Sequence, residues 1–273
     1  MKLSKILFGA VAVAAVMGLV SCGGDDPNGM IKGSGKKYTI DYTNDSTVVS
    51  RGYKETGMKH AGALVKVTFN KEDLVNGKYN SGSDANAAGV MGTIFNLHDA
   101  DSDNAEKGAV DFYIIGIRDD GNYYMSKFEN ITDLQGNNFG ANTTNDASAG
   151  EPKETEIVKL NIGVNKVTLP TNTDTNPYAY IYYRALADGS YDWAILDMTD
   201  DEAKAFEIDD FATTNSYSGT VLAHGNISDV FDACDEGKQP QNKLAVYANV
   251  YAGATLSGVW NYGDMYLEAE VIE

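Results

Sequence analysis

The side chains best placed for chemistry lie in FNLHDADSDNAEKGAVDFYIIG, residues 95–116, where Asp99, Asp101 and Asp103 stand one residue apart. Alternate carboxylates followed by Asn104, a residue type that enters the left-handed conformation at small cost, form the opening of a loop that can wrap a cation. The twelfth position, where such a loop needs a bidentate acid, is Val110, and Asp111 comes one place late. Glu106 could supply an oxygen from an irregular loop. Two readings follow. One is Ca²⁺ held by Asp99, Asp101 and Asp103, since oxygen donors without a thiolate or imidazole cluster suit that ion better than zinc or copper. The other is a solvated acidic hairpin tip.

Catalytic chemistry has less to work with. Glu268-Ala269-Glu270 alternates two carboxylates, but it sits at the end of the last strand, where a preorganised site is hard to build. His60, His98 and His224 are far apart in sequence and are expected in loops or at the surface, too scattered for a metal-hydrolase centre. No Ser-His-Asp arrangement, phosphate-cradling glycine loop or cysteine nucleophile is evident, so a non-catalytic protein is expected. Aromatic residues offer more. In YAYIYYRALADGSYDWAIL, residues 178–196, Asp188-Gly189 reads as a two-residue turn between strands. That register sets Leu186 opposite Tyr191, Arg184 opposite Trp193 and Tyr182 opposite Ile195. It gathers Tyr180, Tyr182, Arg184, Tyr191 and Trp193 on one face, with Ala179, Ile181, Tyr183, Ala194 and Leu196 on the other. Such a face can stack on a sugar or anchor a protein. It can equally be the core side that every sandwich strand possesses.

The elements that must position these groups are short and β-like. Segments such as KKYTIDYT, GALVKVTF, VMGTIFNLH, VDFYIIGI, NYYMSKFE, EIVKLNI, NKVTL, GTVLAHG, KLAVYANVY and DMYLEAEVIE carry β-branched and aromatic residues between turn residues. Their spacing predicts an all-β antiparallel β-sandwich with one or two short loop helices. Thr199 with Glu202 forms a capping box, and Ser228 can cap DVFDAC. Asp120-Gly121 predicts a second two-residue turn, with Arg118 facing Tyr123, Gly116 facing Met125 and Ile117 facing Tyr124. GANTTNDASAGEPKETE and PTNTDTNP read as long loops.

The chain has 273 residues and a net charge of −18. It begins with Lys2 and Lys5, an uncharged apolar run from Ile6 to Leu19, and Leu19-Val20-Ser21-Cys22. This is the pattern of a secretory signal, too short to span a membrane comfortably. Small residues directly ahead of a cysteine resemble the lipobox of bacterial lipoprotein signals. The resemblance implies a signal peptide over 1–21, diacylation of Cys22, a flexible tether over 22–36 and one domain over 37–273. It also implies export and tethering at the outer membrane or cell surface. Cys234 then has no partner within the chain, so no disulfide framework is expected. The acidic balance excludes nucleic acid and favours cations or basic protein surfaces.

AGVMGTIFNLHD, VDFYIIGIRDDGNYYMSKFEN, YAYIYYRALADGSYDWAIL and NKLAVYANVYAGATLSGVWNY together resemble successive strands of the concanavalin A-like lectin/glucanase jelly roll. The resemblance implies a jelly roll that frequently carries a structural calcium. Its glucanases place an E-x-D-x-E run on one strand, which this chain lacks. The expected function is therefore an anchored binding module for a glycan or a protein. The alternatives are a structural subunit of an envelope complex and, last, a degenerate glycoside hydrolase-like enzyme. If Cys22 carries the acyl chains, Cys22→Ser should release the protein from membranes or stall its export, as read by fractionation and labelled-palmitate incorporation.

Overall fold

Runs that alternate apolar and polar residues bury one face only when they pair and the resulting sheets stack. The computed structural model describes residues 29–59, 62–70, 72, 87–100, 108–132, 151–171, 176–186, 190–206, 220–228, 243–263 and 266–267. These form β1 (Ile31–Ser34), β2 (Lys37–Thr43), β3 (Ser50–Lys59), β4 (Gly62–Phe69), β5 (Gly89–Asp99), β6 (Val110–Arg118) and β7 (Tyr123–Ile131). They continue with β8 (Lys153–Val158), β9 (Tyr178–Ala185), β10 (Tyr191–Asp197), helix α1 (Asp200–Lys204), β11 (Thr220–Ile227), β12 (Lys243–Val250), β13 (Thr255–Asn261) and β14 (Tyr266–Leu267). One sheet runs β1-β2-β13-β4-β9-β10-β11, with β14 also on β4; the other runs β3-β12-β5-β6-β7-β8. Neighbouring strands are antiparallel in both, and the two sheets pack into an all-β sandwich of a kind compatible with a jelly roll.

Specific contacts lock the layers together. Trp260 Nε1 donates to the Gly92 carbonyl at 2.9 Å, and the Thr93 and Tyr262 hydroxyls are hydrogen-bonded at 2.9 Å. Phe95 stacks on Tyr183 with ring centroids 4.3 Å apart. A Cβ on Gly258 would lie 2.4 Å from Met91 Sδ, so only glycine lets β13 approach β5 this closely. Deep burial of such large rings is the main stabilising term.

Two strands fall where the sequence pattern does not place them, and a third starts earlier than expected. β1 lies in the stretch read as tether, and Met30 and Ile31 are core residues. β3, SRGYKETGMK, is charged and glycine-bearing, as suits an edge strand that must resist further pairing. β8 takes in Glu156, Ile157 and Val158 of the expected strand EIVKLNI but begins at Lys153, inside the polar run read as loop, while NKVTL forms only an isolated bridge from Lys166 to Asn122. The capping box is present: Glu202 N donates to Thr199 Oγ1 and Thr199 N to Glu202 Oε2, starting α1. The helix expected after Ser228 lies outside the described residues.

Both hairpin registers differ from the two-residue reading by one residue. In the first, Arg118 N donates to Asn122 O and Gly121 N to Arg118 O, so the loop is Asp119-Asp120-Gly121. Ile117 therefore faces Tyr123, and Gly116 faces Tyr124. A type I′ turn needs positive φ at Asp120, but among these residues only Gly121 has it, at +88°. The Asp120 carboxylate explains the choice: it accepts from Arg118 Nε at 2.8 Å, from Arg118 Nη2, and from Asn122 N and Nδ2 at 3.1 and 2.8 Å. In the second hairpin Leu186 N donates to Ser190 O, and Tyr191 pairs with Ala185, Asp192 with Arg184 and Trp193 with Tyr183. The slip separates the expected aromatic face. Tyr191 and Trp193 join Ile181 and Tyr183 between the sheets, whereas Tyr180, Tyr182 and Arg184 share the opposite side with Leu196, Ala194 and Asp192.

Trp193 is 4 % exposed. Trp193→Ala should therefore cost about 3–5 kcal/mol, the usual loss for truncating a buried large aromatic, measured as a lowered denaturant midpoint.

Candidate functional site

The outward row of the second hairpin is covered by its own chain. Tyr180 and Tyr182 pack with Tyr178, Leu64, Leu196, Met198 and Ala203, and Phe206 meets the Tyr182 ring edge-on. Asp200, in the first turn of α1, accepts from the Tyr180 hydroxyl and from Lys66 Nζ, each at 2.5 Å. Lys66 also sits 4.9 Å from the Tyr178 ring centroid and 5.5 Å from that of Tyr180. Burial and then the Asp200 bond push the Tyr180 phenol well above its ordinary range, while the Lys66 bond leads in holding the Asp200 carboxyl below its own. Four of the five candidate aromatic-face residues, Tyr180, Tyr182, Tyr191 and Trp193, are thus packed, and Arg184 is half-buried.

The acidic stretch is only partly described. Asp99 is exposed at the end of β5, and Asp101 and Asp103 lie outside the described residues, as do Cys22, Cys234, Glu268 and Glu270. No group of three or more His, Cys, Asp or Glu suited to a metal occurs among the described residues. His98 is not a surface histidine: it is 3 % exposed, with Nδ1 2.6 Å from the Asn96 carbonyl and Nε2 4.0 Å from Asp111. His224 is exposed on β11.

A different site forms on the outer face of the second sheet. Met91 and Thr93 point inward, toward Gly258 and Tyr262, so Val90, Gly92 and Ile94 point out. Register carries that face across the strands. Tyr247 and Gly116 flank Gly92, Asn249 flanks Val90, Arg51 lies beyond Asn249, and Tyr124 lies beyond Gly116. On β8, Glu156 is opposite Ser126 and Glu154 opposite Phe128. Of these, Arg51, Val90, Tyr124, Ser126, Phe128, Glu154, Glu156, Tyr247 and Asn249, with Tyr251, line a cleft of about 250 Å³. Gly116 shapes its floor, since a Cβ there would be 2.5 Å from the Tyr124 ring.

The cleft is aromatic along one side and rich in acceptors along the other. Ser126 Oγ donates to Glu154 Oε1 at 2.8 Å. Burial raises the Glu154 carboxyl above its usual range and Glu156 adds to that, against Ser126 and Arg51, which lower it. Burial and a bond to Tyr247 raise the Tyr124 phenol. Asn249 is 8 % exposed, and its Oδ1, on the cleft wall, has no hydrogen-bond partner. A buried acceptor left open costs about 1–3 kcal/mol, which a ligand donor would recover.

Sequence reading missed this site because KETE was assigned to a loop. The signal was present: Glu154-Thr155-Glu156 alternates like a strand with both carboxylates on one face. No protein-family model matches the chain, and no curated protein matches it in sequence.

Beside the cleft, Asp119 Oδ2 accepts from Ala88 N at 2.7 Å, and Tyr251 N donates to Ala88 O, tying the first turn to the cleft wall. Burial, opposed by the Ala88 N–H, pushes the Asp119 carboxyl up to about 7. A folded pKa above the unfolded value of about 3.9 means that the contribution is full below about pH 4 and is lost as pH rises through about 7. Asp119→Asn should flatten that decline, which amounts to at most about 4 kcal/mol, as seen by comparing denaturant midpoints of the two proteins across the window.

Proposed function

We propose that the protein is an exported lipoprotein, anchored through Cys22, that binds a glycan without turning it over, and that the glycan occupies the cleft of the second sheet. The observation that carries this is the composition of the cleft. Tyr124 offers a half-buried ring with a polar edge, Tyr247 and Tyr251 are buried rings that build the wall behind it, and Arg51, Glu154, Glu156 and the Asn249 side-chain oxygen offer hydrogen bonds to hydroxyls. The packing of Tyr180, Tyr182, Tyr191 and Trp193 moves the ligand role away from the second hairpin. A calcium ion on Asp99, Asp101 and Asp103 remains part of this proposal as a structural element, and chelation would then lower the melting temperature.

One observation favours a second reading, a glycoside hydrolase-like enzyme: two carboxylates on alternate positions of β8 face one cleft, and burial keeps the proton on Glu154 to higher pH than usual. β8 is an edge strand, a less rigid platform than the centre of the sheet. Screening the full chain in detergent against a glycan array, with reducing-sugar release measured on each bound glycan, separates the readings. Binding without release is expected. Gly116→Ala, which drives a methyl into the Tyr124 ring, should weaken binding at least about tenfold, equivalent to about 1.4 kcal/mol, while Tyr180→Phe should leave it unchanged.

A further inference from the structure

We propose that the cleft on the second sheet selects a sugar bearing a free, protonated amino group, a deacetylated hexosamine oligomer, over neutral or N-acetylated sugars. This rests on the glycan reading of the same cleft and adds the charge of its ligand. The polar groups facing the cleft are mostly acceptors: Glu154, Glu156 and Asn249 Oδ1, with Arg51 the cationic side chain of the lining among the described residues. Arg51 acts electrostatically on Glu154, and Ser126 gives Glu154 a single hydrogen bond at 2.8 Å. Glu156 has Lys159 at 3.2 Å, but both are exposed, so that pair is screened and readily exchanged for a ligand cation. Arg51 is the lining's cation and Lys159 reaches Glu156 only from the exposed rim, so a ligand cation can take the place of Lys159 at Glu156.

The open Asn249 oxygen adds an independent requirement. It is buried and needs a donor, and an ammonium group brings three donors and no acceptor. An acetamido group in the same place would bring one N–H donor in place of three and no charge, and its carbonyl would face carboxylates. Tyr124, the half-buried ring of the lining, supplies a face on which a cation is held more tightly than a neutral group. The net charge of −18 draws cations toward the surface from a distance.

The test is calorimetric titration of the full chain in detergent with a glucosamine tetramer, its N-acetylated counterpart and a glucose tetramer of the same linkage, with spermine as a charge control. The glucosamine tetramer should bind at least about tenfold tighter than either neutral sugar, and it should outcompete spermine. Glu156→Gln, at an exposed position that does not threaten folding, should weaken the glucosamine tetramer far more than the glucose tetramer and so remove most of that preference; an equal loss for both sugars overturns the amine inference. Equal affinity for the three sugars, or a preference for a neutral one, overturns the amine inference and leaves the glycan reading standing. Spermine binding as tightly as the glucosamine tetramer overturns it too, since charge alone would then account for the effect. Failure of all three sugars to bind overturns both readings.

Discussion

In a period-two structure the identity of each face depends on where a turn puts its single left-handed residue. Here that residue is Gly121, and it is left-handed because the Asp120 carboxylate is occupied with Arg118 and Asn122, which keeps Asp120 itself out of that conformation. Were Asp120 left-handed as well, the loop would shorten by one residue. Tyr124 would leave Gly116, and the outer face of the second sheet would lose its aromatic wall. A local ring of hydrogen bonds at one turn therefore decides what the largest exposed face of that sheet presents.

The second hairpin obeys the same parity and divides an unusually tyrosine-rich strand between two environments. Tyr183 stacks in the inter-sheet core, and its neighbours Tyr180 and Tyr182 lie under α1 and Phe206. The α1 carboxylate of Asp200 gives the outer Tyr180 phenol a polar partner, whereas the Tyr183 hydroxyl is buried between the sheets with none among the described residues. The capping box that starts α1 at Thr199 thus has a tertiary role, since it fixes Asp200 where Tyr180 and Lys66 converge.

Fold class was readable because alternation and turn residues survive in a single sequence; most of the expected strands appear, and so does the capped helix. Register was not readable, because Asp-Gly serves both a two-residue turn and the end of a three-residue one, and the difference lies in side-chain bonds to Asp120 that composition does not encode. Polar edge strands were the other blind spot. β3 is polar and mostly half-buried and carries no apolar signature, and the first half of β8, which holds the acceptor-rich side of the cleft, is as polar as the loop before it. An assembled face drawn from β3, β12, β5, β6, β7 and β8 has no local signature at all, since its residues are spread from Val49 to Tyr251.

The early start of the sandwich has a geometric consequence. Only eight residues lie between Cys22 and the first residue of β1, Ile31, and those nine steps of chain reach at most about 30 Å even when fully extended. With acyl chains on Cys22, the domain would ride within about one hydrocarbon thickness of the bilayer surface. β1 runs beside β3, so the leash would draw the Arg51 side of the cleft toward the lipid and turn the Glu154 side outward. The anchor would then set the direction from which a ligand can arrive, presenting the acidic rim first to whatever lies beyond the membrane.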